Sequence, residues 1–174
     1  MPYILALLGI VALVGLFKKG FASENTYVDY TETETKPVHK VPTVDDLIND
    51  YSKFYNVPIP LIKAIIKKES SWNQYAKNPN DPSYGLMGIM PIVAQEFGIV
   101  EDWRKVTQDE INSIYNPSNN IGSGCKLLHK LLSKYTMDVA VMMYNTGETG
   151  YKNGVRNTAY VNDVLKYYHE YNEE

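Results

Sequence analysis

Cysteine is almost absent from this sequence: the 174 residues include only Cys125. An intramolecular disulfide is therefore excluded, and the fold must be held by its core. Histidine is also scarce, and His39, His129 and His169 show no metal-ligand spacing. Positive charge is in short supply as well, because the formal net charge is −3. This balance argues against a nucleic-acid binder, which would usually carry a basic patch.

Long apolar runs are confined to the N-terminus, where residues 3–17 are apolar without interruption and Lys18 and Lys19 follow. A membrane-spanning helix needs about 20 residues, with a lower limit near 17, and the stems of the two lysines can extend this run. A cleaved signal peptide is the alternative, although no basic residue precedes the run. We predict a retained transmembrane anchor over residues 1–19, which contacts the lipid membrane through residues 3–17.

The remainder of the chain divides into a linker and a domain. Residues 20–42 are rich in Thr, Glu and Lys and poor in large aliphatic residues, which predicts a flexible linker. Over residues 43–174, apolar residues recur at helical spacing, and we find no convincing set of alternating strands. We therefore predict a single, mainly helical globular domain. Four of its predicted helices span residues 60–70, 91–97, 138–144 and 158–169. Three others are predicted to begin after Thr43, Thr107 and Asn116.

One carboxylate lies on an apolar helix face. Glu69 follows Ile65 by four residues and Ile66 by three, so these side chains share a face that should point into the core. A carboxylate there is costly unless it is paired or neutral, and the nearby C-terminal end of the helix disfavours negative charge. Both effects predict a raised pKa, as a glycosidase general acid requires. A surface glutamate at a frayed helix end is the alternative interpretation.

A glycine-containing turn, SYGLMGIMP at residues 83–91, follows in the sequence. Two glycines in a short apolar run let backbone approach a ligand closely. Exposed backbone amides and carbonyls would suit sugar hydroxyl and acetamido groups. A buried turn with two methionines as filler is the other interpretation.

Five segments resemble, in order, the motifs of the soluble lytic transglycosylases, a family with a lysozyme-like fold. ESSWN at 69–73 resembles the catalytic "E-S-x-aromatic-N" motif, and GLMGIMP at 85–91 resembles "GLMQIMP". The other three are a helix start "NP…NI…G" at 116–124, an "A…AYN" segment at 139–145 and a "T-x-Y-V-x-x-V" segment at 158–164. The resemblance covers the globular domain and neither the anchor nor the linker.

The resemblance implies a mainly α domain of the α+β lysozyme-like kind that cleaves peptidoglycan glycan strands. Glu69 would be the single general acid/base, cleaving the β-1,4 bond from N-acetylmuramic acid to N-acetylglucosamine and leaving 1,6-anhydromuramoyl ends. Neither metal nor cofactor would be needed. Tyr144 would orient the carboxyl group or the substrate, and Tyr160 would close the wall of the site. The other implied substrate-binding residues are Ser70, Asn78, Ser83, Tyr84, Gly85, Met87, Gly88, Met90 and Asn145.

This sequence departs from the family pattern at several positions and leaves alternatives open. The usual Gln is Gly88, which removes a side-chain hydrogen bond to sugar; a common Ser is Asn78, and Met143 replaces a small residue. One alternative is a muramidase of the same fold, in which Asp81 activates a water, although an Asp before Pro82 is also an ordinary turn residue. A second alternative is a non-catalytic cell-wall-binding membrane protein.

The location of the protein follows from the anchor and the implied substrate together. Lys18 and Lys19 after the apolar run would place the domain on the cytoplasmic side, whereas a wall-degrading enzyme acts on the other side. A virion membrane of a bacteriophage resolves this conflict. A bacterial inner membrane with the domain facing the wall is the alternative, because two lysines are a weak signal.

Overall fold

The computed structural model describes residues 40–173, and over this range the chain forms seven α-helices and no strand. The only β pairing in that range consists of isolated bridges from Tyr84 to Lys77 and to Ile89. The prediction of a mainly helical domain is therefore confirmed. Within these residues, the β part of the expected α+β fold is limited to the two bridges of Tyr84. The helices are α1 Val44–Tyr55, α2 Ile59–Ser70, α3 Pro91–Glu96, α4 Gln108–Tyr115, α5 Pro117–Leu132, α6 Met137–Lys152 and α7 Thr158–Asn172.

The predicted anchor over 1–19 and most of the predicted linker lie outside the described residues. Within residues 40–173, none of the helices combines the length and the apolar character needed to cross a bilayer. The anchor and the linker remain predictions.

Local sequence signals set most helix boundaries. Thr43 caps α1 in a reciprocal capping box with Asp46, and Thr107 does the same for α4 with Glu110. The side chain of Asn116 accepts hydrogen bonds from the first turn of α5. These devices satisfy amide groups that have no partner within the helix, so the predicted starts of these helices are confirmed.

The last two helices are longer than predicted. The sequence predicts that α6 ends in a loop at 145–147, but the helix continues to Lys152. Gly147 breaks the helical geometry with φ 70° and ψ 154°, so the glycine does interrupt the helix, and one more helical stretch follows it. α7 continues to Asn172 instead of ending near His169, since nothing in the sequence between these residues stops a helix.

The core is built around α2, which packs extensively on α7. Leu61, Ile62, Ile65 and Ile66 of α2 are fully buried. Burial of a large aliphatic side chain contributes about 1.5–3 kcal/mol, so these four residues fix α2 firmly. Because Glu69 lies in the last turn of this helix, its backbone position is fixed with them.

Candidate active site

The side chain of Glu69 lies at the base of a cleft with a volume of about 80 Å³. The pKa of this carboxyl group is raised from 4.5 to about 7, chiefly by burial and also by the negative charge of Asp81, and against the lowering effects of the Tyr160 hydrogen bond and of Lys68. The expectation that an apolar helix face would raise this pKa is confirmed. The carboxyl group is thus half-protonated near neutral pH and can both donate and accept a proton. The other residues that line the cleft are Asn78, Asp81, Ser83, Gly88, Ile89, Met90, Val93, Leu127, Tyr144 and Asn145.

Tyr160 on α7 contacts Glu69 directly. Its hydroxyl group donates a hydrogen bond of 2.5 Å to Glu69 Oε1, and its side chain is only 5% exposed. Burial, reinforced by the nearby Glu69 charge, raises the pKa of Tyr160 well above its ordinary range. Tyr160 therefore remains protonated and acts as a permanent hydrogen-bond donor to the carboxyl group.

Tyr144 on α6 has a different contact from the one expected. Its hydroxyl group donates to the backbone carbonyl of Met87 at 2.8 Å, while its ring lines the cleft. The tyrosine hydrogen bond to Glu69 therefore comes from Tyr160. Tyr144 instead bonds to the backbone of the glycine-containing turn. The resemblance implied that Tyr144 orients either the carboxyl group or the substrate. Its hydroxyl group bonds to Met87 and not to Glu69, and a contact with the substrate stays a prediction.

The turn at residues 84–89 is held by a buried side-chain amide, Asn120, whose motif indicates only a helix start. Asn120 is 1% exposed, and its Oδ1 accepts a hydrogen bond of 2.7 Å from the Met87 amide. Its Nδ2 donates to the carbonyls of Tyr84 at 2.8 Å and Ile114 at 2.9 Å. A polar residue on the buried face of α5 was the signal that could have identified it.

The predicted binding residues separate into two groups. Asn78, Ser83, Gly88, Met90, Tyr144 and Asn145 line the cleft together with Glu69. Ser70, Tyr84, Gly85, Met87 and Tyr160 do not line it. Of the second group, Tyr160 still contacts Glu69 directly.

Two members of the second group require correction. The resemblance implies that Met87 lines the sugar groove, but this residue is fully buried, and a Cβ added at Gly124 would clash with its sulfur atom. Ser70 donates its hydroxyl to the Ile66 carbonyl at 3.0 Å and accepts from the Trp72 amide at 3.1 Å. Met87 thus belongs to the core, and Ser70 stabilises the end of α2.

A second, larger cavity of about 420 Å³ adjoins the cleft. It shares Met90, Val93, Leu127, Tyr144 and Asn145 with the cleft and continues along the kinked part of α6 at residues 146–150. The two cavities therefore share one wall, and Glu69 lines the smaller of them. Within residues 40–173, no group of three or more His, Cys, Asp or Glu is arranged to hold a metal ion.

A mainly helical domain in which a glutamate at the end of a buried helix lines a cleft agrees with the lysozyme-like class of domains. The chain belongs to the transglycosylase SLT domain family, whose sequence model matches residues 46–165.

The chain is similar to proteins of bacteria and of a bacteriophage. It is 30% identical to the protein IpgF of Shigella sonnei over 118 residues, which cover 66% of this chain and 73% of IpgF. It is 26% identical to the transglycosylase of Enterobacteria phage PRD1 over 122 residues, which cover 70% of this chain and 41% of that protein. Its structure resembles the soluble lytic transglycosylase SLT70 of Escherichia coli, with a TM-score of 0.56 and 25% identity, covering 73% of this chain and 24% of SLT70.

Proposed function

We propose that this protein is a peptidoglycan lytic transglycosylase in which Glu69 is the single general acid/base. One observation carries the proposal: Glu69 lines the cleft with a pKa of about 7 and accepts a hydrogen bond from Tyr160. A group that titrates near the working pH is the most effective proton donor and acceptor. Membership of the family supports the substrate, the glycan strands of peptidoglycan.

The proposed reaction uses the same carboxyl group twice. Protonated Glu69 donates its proton to the oxygen that links N-acetylmuramic acid to N-acetylglucosamine, and the bond from this oxygen to C1 breaks. The acetamido group of the substrate supports the positive charge that develops at C1. The ionised Glu69 then takes the proton of the C6 hydroxyl, whose oxygen bonds to C1 and closes the 1,6-anhydro ring. The proton is returned to Glu69, and no water is consumed.

The position of Asp81 favours a second candidate, a muramidase. Asp81 lines the same cleft as Glu69, and its charge raises the pKa of Glu69. Asn78 donates a hydrogen bond of 2.7 Å to Asp81 Oδ2, which orients the carboxylate. In this mechanism Asp81 would activate a water for attack on C1, and the product would be a reducing end.

Mass spectrometry of digested peptidoglycan separates the two reactions. We expect anhydro ends from the parent protein and from Asp81→Asn, and no cleavage by Glu69→Gln. Glu101→Gln is a suitable control, because it removes one carboxylate from an exposed site outside the cleft. If the parent protein produces only reducing ends and Asp81→Asn does not produce them, the muramidase mechanism is established. Unchanged cleavage by Glu69→Gln would refute both mechanisms.

We also propose that residues 1–19 anchor the protein in a membrane, that residues 20–42 tether the domain, and that residues 43–174 form the transglycosylase domain. The similarity to a transglycosylase of phage PRD1 supports a place in a bacteriophage particle, and a bacterial inner membrane is the alternative. Deletion of residues 1–19 should move the protein from the membrane fraction to the soluble fraction. Detection in purified virus particles or in host membranes would distinguish the two locations.

A further inference from the structure

An ion pair lies beside the hydrogen bond between Glu69 and Tyr160. Lys68 Nζ donates to Asp163 Oδ2 at 2.6 Å, and the same nitrogen lies 5.8 Å from the centre of the Tyr160 ring. Lys68 precedes Glu69 on α2, and Asp163 follows Tyr160 by three residues on α7, so the two α7 side chains share a helix face. Two bridges therefore join the end of α2 to the first turns of α7.

We propose that Lys68 and Asp163 are positioning residues for the acid. Their ion pair holds the first turns of α7 against the end of α2, and so keeps the Tyr160 hydroxyl group within hydrogen-bonding distance of Glu69. The family motifs leave both positions unspecified, because Lys68 precedes the first motif and Asp163 is an unspecified residue of the last. Loss of the pair should therefore reduce the activity of this chain without abolishing it. This inference rests on the proposed role of Glu69.

The first turns of α7 follow an exposed segment of the chain. Residues 152–159 are all exposed, and Tyr160 is the first buried residue after them. Val161 and Val164 are buried, but apolar packing is non-directional. Among the described residues, no other salt bridge joins α7 to another helix. Because helix ends fray unless they are held, the ion pair supplies a directional restraint where Tyr160 needs one.

The hydrogen bond from Tyr160 to Glu69 is sensitive to small movements of α7. Its length is 2.5 Å, so a movement of about 1 Å would stretch it beyond the usual range of O–H···O bonds, roughly 2.5–3.0 Å. The side chains of Lys68 and Asp163 are 31% and 49% exposed, so water screens their attraction only in part. The pair is thus a modest restraint on a contact that tolerates little displacement.

Lys68 also acts on Glu69 through its charge. Burial is the main cause of the raised pKa of Glu69, the Tyr160 hydrogen bond and Lys68 lower this pKa, and Asp81 raises it. Tyr144 on α6 lines the same cleft, and burial keeps its own pKa well above the ordinary range. Lys68→Met would remove a positive charge and loosen Tyr160, and both changes should raise the pKa of Glu69. The part due to Tyr160 should be absent from a protein that already carries Tyr160→Phe.

Glu170 offers a matched control on the same helix. Like Asp163 it is a carboxylate of α7 in an ion pair, but its partner Lys166 also belongs to α7. The side chains of Asp163 and Glu170 are 49% and 56% exposed, so their contact with water is similar. Glu170→Gln therefore removes one charge and one ion pair from α7 and leaves the contact with α2 intact.

Cleavage rates of the full-length protein in two backgrounds test the proposal, each protein being measured at its own pH optimum. Lys68→Met and Asp163→Asn should each slow cleavage of peptidoglycan about three- to fivefold, the scale of one half-exposed ion pair, and Glu170→Gln should cleave at the parent rate. A Tyr160→Phe protein has no hydroxyl group to hold, so the first two substitutions should have little further effect there. The proposal is overturned if they slow cleavage equally in both backgrounds, or in neither.

NMR titration of labelled glutamate side chains tests the same restraint without relying on activity. Lys68→Met should raise the pKa of Glu69 by more in the parent than in the Tyr160→Phe background. An equal rise in both would show that Lys68 acts by its charge alone and would refute the positioning role. A parent protein that does not cleave peptidoglycan would instead refute the proposed function, and the titration would still report on the contact between Tyr160 and Glu69.

Discussion

Replacing Glu69 with Gln should abolish cleavage and, above neutral pH, stabilise the fold. The pKa of this carboxyl group is about 7 in the folded protein and near 4.5 when it is exposed to water. Below pH 4.5 the group is protonated in both states, so its ionisation has no effect on stability. As the pH rises from 4.5 to about 7, the unfolded chain releases the proton first, and the free energy of unfolding falls.

The size of the effect follows from the two pKa values. Each tenfold difference in proton affinity corresponds to about 1.36 kcal/mol, so the full penalty above pH 7 is about 3 kcal/mol. Gln has nearly the same shape as Glu and cannot ionise, and its Oε1 can still accept the hydrogen bond from Tyr160. The variant should therefore escape the penalty without leaving a cavity.

Urea denaturation of parent and variant at about pH 4, 6 and 9 measures this difference. We expect similar free energies of unfolding at the lowest pH and a variant that is more stable by about 3 kcal/mol at the highest. Glu101→Gln controls for the loss of one carboxylate at an exposed site. If Glu69→Gln changes the stability equally at all three pH values, Glu69 is not held protonated, and the reasoning about its catalytic role fails.

Three further predictions concern the groups around the site. Tyr160→Phe removes a hydrogen bond that lowers the pKa of Glu69, so the alkaline limit of activity should move to higher pH and the rate should fall about tenfold or more. A pH–rate profile that keeps its alkaline limit would contradict this. Asn120→Ala removes the side-chain hydrogen bonds of three buried backbone groups, of which the Tyr84 carbonyl keeps a second bond from the Ile89 amide. It should lower the free energy of unfolding by about 2–4 kcal/mol, unlike Asn119→Ala at an exposed neighbour. Cys125 is fully buried, and burial raises its pKa to about 12. It should therefore react with a thiol reagent only in denaturant. Rapid labelling of the native protein would contradict the buried position.

Local sequence features were sufficient for most helix starts, though not for the ends of α6 and α7, and for placing Glu69 on an apolar helix face. Capping boxes at Thr43 and Thr107 act within four residues, and they are found where the sequence places them. The apolar spacing of α2 was enough to place Glu69 on a buried face, because helical periodicity is a property of the segment itself. That placement, together with the nearby C-terminal end of the helix, predicted a raised pKa, and burial is the largest cause of the rise.

The environment of Glu69 was beyond the reach of the sequence. Tyr160 is separated from Glu69 by 91 residues and Asn120 from Met87 by 33, so their hydrogen bonds depend on how α5 and α7 pack against the rest of the chain. The same holds for Gly88, which looked like the loss of a sugar contact and proved to be a neighbour of the acid. Sequence spacing therefore determined which carboxyl group lies on an apolar helix face. Only tertiary packing decided which groups surround it, because hydrogen bonds over such separations are set by side-chain directions in three dimensions.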